Sequence, residues 1–356
     1  MKKITFFYST PQEKQIFSPI AENAITKGFK INFTKNLKKK AQIGFYCQSK
    51  NFSENSKVSI ILLGGIDQGR GLWPNVWSEQ PWNKFDLGFL PSKDWANKWK
   101  DSSWNYRSRT RYGVFESGWP KVDFLIDKKS VSKRINFLKK KYLFPKKGKN
   151  ILYAPAFESH QKQLDVVRSV KKLNLNLLIK HWMHDKDINL INSQSKKELG
   201  KKVCIIDPKV NFIELLPFTD LLITDESSVA YEALLLNIPT ISVSDWYIRR
   251  HKLAPSRLVK PSNVCFPTTR KNLFKKINLI IKNKELFKKR IEKKKNYYFS
   301  YLGESSSIII QILIKFLKKD DICNSKYFIK PSYNLNYFRS FFQSNKILKK
   351  INNYYA

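Results

Sequence analysis

Residues 218–234 read FTDLLITDESSVAYEAL and decide the fold class of this chain. An apolar run at 221–224 is followed by a polar turn at 225–228 and then by apolar residues at helical spacing. A short apolar strand, a turn and a helix in this order form the repeating unit of parallel sheets that are covered by helices on both faces. The segment therefore predicts one strand-helix unit of a doubly wound α/β domain.

The same unit repeats on both sides of this segment. Further strands are expected at 151–154, 175–180, 203–206 and 240–243, helices at 164–173 and 229–236, and a short helical turn at 212–216. The first half of the chain is less regular, with strands expected at 2–8, 29–33, 41–46, 58–63 and 85–90. We therefore expect two α/β layers along the chain, and ligands of such open sheets bind at the carboxyl ends of the strands.

The length of 356 residues favours two domains. A short basic stretch at 144–149, FPKKGK, is rich in helix breakers and marks the boundary. We therefore predict an N-terminal domain at 1–145, a C-terminal domain at 146–317 and a basic, aromatic tail at 318–356. The lysine-rich segment 271–295 has apolar residues at helical spacing, which indicates either a helix packed on the second domain or a contact with an anionic membrane.

Lys and Arg outnumber Asp and Glu by 67 to 28, which gives a net charge of +39. Such an excess favours an anionic partner, but lysine is also spread through the strand-like segments. The sequence contains no recognisable nucleic-acid-binding motif. The four cysteines form no CxxC pair, which indicates a reducing compartment. No stretch approaches the ~20 apolar residues of a membrane span, so we expect a cytoplasmic protein that can rest on the inner face of the membrane.

Polar side chains follow the strand at 221–224. Ser227 or Ser228 can cap the next helix, whose N-terminus favours anions, and Asp225 and Glu226 complete the turn. Glu232 comes about one helical turn after Ser228, where it can accept hydrogen bonds from ligand hydroxyls or lie solvated on the helix surface. The turn alone is equally compatible with a capped helix that binds nothing.

Two other predicted strands end in polar residues. Lys180, His181 and His184 follow one of them, and Pro155 and its neighbours follow another. A lysine can neutralise phosphate charge, and a histidine can donate to a phosphate oxygen or carry a proton near neutral pH. Metal binding by His181 and His184 is less favoured, because no cluster of carboxylates or thiolates accompanies them.

The first half holds a glycine-rich loop after a strand, LLGGIDQGRG at 62–71. It contains Gly65, Asp67 and Arg70 and lacks the spacing of a dinucleotide or P-loop site, so a structural turn and an acceptor-binding loop both remain open. Seven of the nine tryptophans lie between Trp73 and Trp119. They indicate either a thick core or an aromatic platform for a ligand.

Five short segments, taken in order, resemble the CDP-glycerol glycerophosphotransferase family, which includes teichoic-acid polymerases. The resemblance covers about residues 58–317, and its segments are GWPKVD at 118–123, ILYAP at 151–155, LIKH at 178–181, LITDESS at 222–228 and NIP at 237–239. It implies a GT-B fold, with two Rossmann-like domains facing a cleft. It also implies a transferase that needs no metal or other cofactor, with a nucleotide-activated donor on the C-terminal domain and a glycan or lipid-linked acceptor on the N-terminal domain.

By this resemblance Lys180, His181, Asp225, Ser227 and Ser228 surround the donor phosphates. On the acceptor side it points to Gly65, Arg70 and Lys121. The family's His-Gly pair, whose histidine is thought to be the catalytic base, aligns with Gly64-Gly65, and no histidine precedes His160. Asp67 is the nearest replacement, or a histidine such as His181 must serve from the other domain.

Two alternatives stay open. The YEAL sequence at 231–234 is closer to sugar-nucleotide enzymes of the GT-B fold, so a glycosyltransferase or an epimerase is also compatible with the sequence. A nucleic-acid-binding protein fits the net charge but leaves the order of the α/β segments unexplained.

Overall fold

The structure is a computed structural model that describes residues 2–47, 53–66, 77, 81–125, 128–142, 144, 147–155, 160–181, 186–225, 227–246 and 264–332. The chain divides into two compact units. The first unit comprises Met1–Gly64, Leu72–Asp123 and Phe299–Ala356, and the second comprises Gly65–Gly71 and Phe124–Tyr298.

In its described part, each unit contains one six-stranded sheet. The strands of the first unit are β1 (Lys3–Phe7), β2 (Lys30–Thr34), β3 (Ala41–Cys47), β4 (Ser56–Leu62), β5 (Leu87–Leu90) and β6 (Gly113–Glu116). Those of the second unit are β7 (Asn150–Tyr153), β8 (Asn176–Ile179), β9 (Val203–Ile205), β10 (Leu221–Thr224), β11 (Thr240–Val243) and β12 (Phe266–Thr268).

The helices whose bounds fall within the described residues are α1 (Pro11–Thr26), α2 (Lys93–Ser102), α3 (Lys128–Tyr142), α4 (His160–Lys172), α5 (Lys186–Leu199), α6 (Val229–Glu232), α7 (Leu273–Lys282), α8 (Lys284–Tyr298) and α9 (Ser305–Lys318). The predicted helix at 271–295 is thus two helices, α7 and α8, separated at Asn283. Shorter 3-10 helices include Phe212–Phe218, where a helical turn was predicted, and Ala233–Leu236 after α6.

The first sheet has the order β2-β1-β3-β4-β5-β6 with parallel neighbours. All five strands predicted in this half are confirmed, and β6 is an addition. Helix α1 begins where its sequence indicates, because Thr10 and Glu13 form a reciprocal capping box at its start. Its apolar face, including Phe17 and Ile20, packs into a core with Phe6 and Phe45 from the strands.

The helix α9 belongs to the first unit, whereas its position in the sequence favoured the second domain. Ile309 and Leu313 of α9 are fully buried in the same core as Ile4 and Phe17. The expected domain limits at 145 and 317 differ from this division, because the chain leaves the first unit after Asp123 and returns to it at Phe299. The basic spacer at 144–149 lies within the second unit.

The described part of the predicted tail continues the first unit. Ile329 N donates to Val114 O over 2.9 Å, and Glu116 N donates to Tyr327 O over 2.9 Å. An antiparallel bridge joins Phe115 and Phe328. Residues 327–329 therefore lie along the β6 edge, and the tail after residue 332 lies outside the described part of the chain.

Most of the described tryptophans before residue 120 are buried. Trp77, Trp82, Trp95 and Trp99 form one core cluster with aromatic residues of the strands. Trp99 Nε1 donates to Ser108 O over 2.8 Å inside this core. The core interpretation of the tryptophan-rich region is therefore confirmed for these four residues.

The segment 118–123 follows β6 and contacts the part of the chain that returns to the first unit at Phe299. Gly118 has φ +84°, and a Cβ placed there would lie 2.4 Å from Ser300 O. Asp123 accepts hydrogen bonds from the backbone amides of Ser305 (3.3 Å) and Ser306 (2.7 Å) at the start of α9. Burial raises the pKa of Asp123, and these hydrogen bonds offset part of the rise.

The second sheet has the order β12-β11-β10-β7-β8-β9, again with parallel neighbours. The five predicted strands of this half are confirmed, and β12 is an addition. Both sheets are parallel, and α1, α4 and α5 each connect two successive strands, so the predicted two-domain α/β architecture is confirmed. Within the described parts of the chain, no helix is long and apolar enough to cross a membrane.

Candidate functional site

Three neighbouring strands of the second sheet end at one edge and bring the predicted polar segments together. In the register, Ile223 of β10 pairs with Tyr153 of β7, and Tyr153 pairs with Ile179 of β8. Backbone hydrogen bonds continue past the strand ends, from Ala154 N to Ile223 O (3.1 Å) and from Lys180 N to Tyr153 O (2.9 Å). The expected convergence of these three strand ends is therefore confirmed.

Lys180 and His181 stand at the end of β8, and both are buried. Lys180 Nζ donates to Pro208 O over 3.1 Å, which fixes the ammonium group near the chain that follows β9. The His181 ring meets the Tyr153 ring edge-on, with 6.3 Å between centroids. His184, the third predicted residue here, lies outside the described residues.

Asp225 follows β10 and forms an ion pair with Lys162 of α4. Lys162 Nζ lies 3.0 Å from Asp225 Oδ2, and each side chain is only 2% exposed. A buried charge is costly unless it is paired, so Lys162 offsets the charge of Asp225 beneath the turn. Lys162 was missed in the sequence because it lies before the helix predicted at 164–173, where a single lysine gives no sign of burial.

The turn after Asp225 differs in one respect from its prediction. Ser228 is the residue before α6, but its side chain makes no capping hydrogen bond, and its backbone is already helical. Helix α6 spans only four residues before it tightens into the 3-10 helix Ala233–Leu236. The expected cap by Ser228 is therefore wrong, and Ser227 and Ser228 are two half-buried residues at the sheet edge. Glu226 lies outside the described residues.

Glu232 and Pro155 also lie near this edge. Glu232, at the end of α6, is 5% exposed, so the interpretation as a solvated surface residue is wrong. Pro155 is buried directly after β7, next to Ala154, whose carbonyl accepts a hydrogen bond from Thr224 Oγ1 over 2.7 Å. This bond ties the ends of β7 and β10 together.

Asp165, one helical turn after Lys162 on α4, holds the ends of the next two strands. Asp165 Oδ2 accepts hydrogen bonds from Trp246 Nε1 (3.1 Å) after β11 and from Arg270 Nε (2.8 Å) after β12. Lys162 and Asp165 together connect α4 to the ends of β10, β11 and β12. Their spacing of three residues was the available signal, because it places both on one helix face.

The residues predicted on the acceptor side are only partly described. Lys121 of the first unit is buried, with Nζ 4.9 Å from the centroid of the Trp119 ring. Gly65 is described, whereas Asp67 and Arg70 lie outside the described residues.

The edge of the second sheet combines an ammonium group, an imidazole and two hydroxyls. Such groups bind phosphate oxygens by charge-assisted and neutral hydrogen bonds. Among the residues that the structure describes, no group of three or more His, Cys, Asp and Glu side chains is placed to hold a metal ion.

Comparison with solved structures shows the fold. A variant of the wall teichoic acid polymerase TagF with CDPG has a TM-score of 0.64 and 17% identity, over 89% of each chain. The UDP-GlcNAc 2-epimerase from Neisseria meningitidis bound to UDP-GlcNAc has a TM-score of 0.61 and 14% identity, over 88% of this chain and all of that chain. S. aureus MnaA with UDP has a TM-score of 0.60 and 15% identity, over 89% of this chain and 97% of that chain. These likenesses confirm the GT-B fold.

Comparison of the sequence with protein families gives a match, whereas no curated protein matches significantly. The profile of the family described as CDP-glycerol:poly(glycerophosphate) glycerophosphotransferase matches residues 82–315, which is more than half of the chain. The matched region includes β7, β8 and β10 with the polar residues that follow them. The chain therefore belongs to the CDP-glycerol glycerophosphotransferase family of transferase enzymes.

Proposed function

We propose that this chain transfers a glycerol-phosphate or related polyol-phosphate unit from a CDP-linked donor to a hydroxyl of a teichoic-acid-type acceptor. The observation that carries the proposal is the convergence of Lys180, His181 and the serines Ser227 and Ser228 at one edge of the second sheet, where they follow β8 and β10 on either side of β7. These groups match the charge of a pyrophosphate, and family membership supplies the reaction class.

In this reaction an acceptor hydroxyl oxygen attacks the phosphorus that carries glycerol. A new P–O bond forms, the bond from this phosphorus to the bridging oxygen breaks, and CMP leaves with the electron pair. Negative charge develops on the leaving phosphate, where the ammonium of Lys180 and the ring of His181 stabilise it. The serine hydroxyls and Glu232 complete the proposed donor site, with Pro155 shaping its wall.

Asp225 has a supporting role in this proposal. Its carboxylate would repel the donor phosphates if it stood alone, but it is paired with Lys162. The pair therefore anchors the turn that carries the serines while keeping its local charge balanced. Glu226 and His184 extend the proposed donor site by their places in the sequence.

We propose Asp67 as the base that takes the acceptor proton. No histidine precedes His160 in the sequence, so the glycine-rich loop offers a carboxylate where the family has a histidine. Gly65, Arg70 and Lys121 stay candidates for acceptor binding by their places in the sequence. Asp67→Asn should then lower transfer about 100-fold without changing donor affinity, since general bases contribute about 10²–10⁴-fold.

The donor is tested by thermal stabilisation with CDP-glycerol, UDP-GlcNAc and a CMP-linked sugar. A ligand that binds only the native state stabilises it by about 2.7 kcal/mol at 100 times its Kd. The proposal expects the largest rise in Tm with CDP-glycerol, and CMP release that depends on a glycerol-phosphate oligomer. Stabilisation by UDP-GlcNAc alone, with isomerised donor and no need for an acceptor, would favour the epimerase alternative, which the likeness to UDP-GlcNAc 2-epimerases motivates.

We also propose that α7 and α8 contact an anionic membrane surface, where a lipid-linked acceptor would be found. Leu279 and Leu286 are 48% and 51% exposed on these lysine-rich helices. Exposed leucines among lysines suit an interfacial contact with acidic lipids. Vesicles of phosphatidylglycerol should bind the protein and vesicles of phosphatidylcholine should not; equal retention by both, or by neither, would contradict this contact.

A further inference from the structure

A continuous set of contacts links helix α4 to His181. Asp165 Oδ2 accepts the Trp246 indole N–H over 3.1 Å, and the Trp246 ring meets the Tyr153 ring edge-on with 5.9 Å between centroids. The Tyr153 ring in turn meets the His181 ring edge-on with 6.3 Å between centroids. Three aromatic rings therefore stand in series between the Asp165 carboxylate and the proposed donor phosphates.

The first contact of this series, from Trp246 to Asp165, is held in place by Arg270. Arg270 donates to Asp165 through Nε (2.8 Å to Oδ2) and Nη2 (3.3 Å to Oδ1), which is a two-point contact. A bidentate arginine sets the plane of a carboxylate, and a hydrogen bond to an ionised acceptor is about twice as strong as a neutral one. The direction of the Trp246 indole is therefore set by a carboxylate that is itself held in place.

The remaining contacts are tightly packed. Tyr153 is fully buried, and Trp246 and His181 are nearly so. Tyr153 and Trp246 belong to one core cluster with Ile223 and Val243 of the neighbouring strands. In a close-packed core one ring cannot turn without displacing the next, so a change at Trp246 is transmitted to Tyr153 and onward to His181.

We propose that Asp165 and Trp246 are positioning residues that hold the His181 ring, through Tyr153, in the orientation needed at the leaving phosphate. This role rests on the function proposed above for His181. Neither residue is assigned to the donor site itself, and both act through the ring series.

The first test is a double-mutant cycle between Trp246 and His181. Trp246→Phe removes the indole N–H and keeps an aromatic ring, and it should lower kcat for CMP release from CDP-glycerol about tenfold, since small misplacements at a reacting centre are costly. The KM for CDP-glycerol should change less than kcat. If Trp246 acts through His181, the variant Trp246→Phe/His181→Ala should be no slower than His181→Ala alone. Losses that simply multiply would overturn the proposal.

Trp99→Phe in the first unit is the matched control. Trp99 is also buried and its indole N–H also donates a hydrogen bond, to Ser108 O over 2.8 Å, but it belongs to a different core. The two variants should show similar decreases in Tm, while only Trp246→Phe lowers kcat. Equal kcat losses in both would mean that Trp246 has a general structural role, which overturns the proposal.

A second measurement detects the environment of the His181 ring directly by NMR and does not depend on catalytic activity. The chain has four histidines, so the ring signals of isotope-labelled histidine can be assigned with His181→Ala. Trp246→Phe and Asp165→Asn should shift the His181 signal, and Trp99→Phe should leave it in place. An unmoved signal in both variants overturns the positioning role. If the signal moves but His181→Ala keeps full activity, the proposed function of His181 fails and the ring coupling stands.

Discussion

Lys162 Nζ lies 3.0 Å from Asp225 Oδ2, with both side chains 2% exposed, so a helix and a strand end of the second unit are joined by a fully buried ion pair. Asp225 of this pair lies in the same turn as Ser227 and Ser228, which are proposed to contact the donor phosphates. Because Lys162 belongs to α4, the position of that turn depends on this helix. The sequence of α4 alone predicts only that it packs against the sheet.

Removing one member of this pair should be strongly destabilising. Lys162→Met leaves the Asp225 carboxylate buried without its ammonium partner, which typically costs about 3–5 kcal/mol. Denaturant unfolding measures the loss, and the double variant Lys162→Met/Asp225→Leu should recover a large part of it. The control is Lys171→Met, whose partner Glu198 is exposed, and which should give little measurable change. Equal stability of the two single variants would contradict a buried, coupled pair.

The limited space around Gly118 predicts a second difference in the free energy of unfolding between two variants. Gly118 and Gly28 have nearly the same positive φ, +84° and +82°, but a Cβ at Gly28 meets nothing within 4 Å, whereas one at Gly118 would lie 2.4 Å from Ser300 O. Gly28→Ala should cost about 1–2 kcal/mol from backbone strain alone. Gly118→Ala should cost clearly more in the same unfolding experiment, because a backbone atom must also move. A Gly118→Ala variant as stable as Gly28→Ala would show that the contact with the returning chain is loose.

The sequence indicated both sheets because apolar strands and helical spacing are local properties. It also indicated the convergence of Lys180, Pro155 and Asp225, since parallel strand ends meet at one edge whatever their order. The membership of α9 in the first unit was not predictable, because the apolar residues of Ser305–Lys318 do not by themselves specify the core in which they pack. Lys162 and Asp165 were missed for a related reason. Their spacing places both on one helix face, but their partners Asp225, Trp246 and Arg270 lie on strand ends that are distant in sequence.

Asp220 predicts a pH dependence of stability. Burial alone would raise its pKa, but hydrogen bonds from Lys284 and the Asn150 amide, with the charges of Lys284 and Lys149, outweigh burial and lower it. The folded state therefore favours the carboxylate. Its contribution is complete above the unfolded pKa of about 3.9 and is lost as pH falls through the lower folded pKa.

Asp220→Asn should accordingly lower stability at pH 7 by about 2 kcal/mol, the scale of hydrogen bonds to charged groups. The difference from the wild type should narrow as pH falls below about 4. Lys284→Met should remove much of the same contribution, and the two changes together should be less than additive. A constant difference between wild type and Asp220→Asn from pH 7 to pH 3 would refute the assigned role of the carboxylate.

Ser228 gives the most direct test of whether the edge formed by β8, β7 and β10 binds the donor phosphates, as we propose. Calorimetric titration with CDP-glycerol should give a measurable Kd for the wild type, a Kd within about tenfold of it for Ser228→Ala, and at least a 100-fold weaker Kd for Ser228→Asp, because a carboxylate there opposes phosphate. Both variants should keep the wild-type Tm in the absence of ligand, since Ser228 makes no capping bond. Binding of CDP-glycerol by folded Ser228→Asp with the wild-type Kd would contradict the claim.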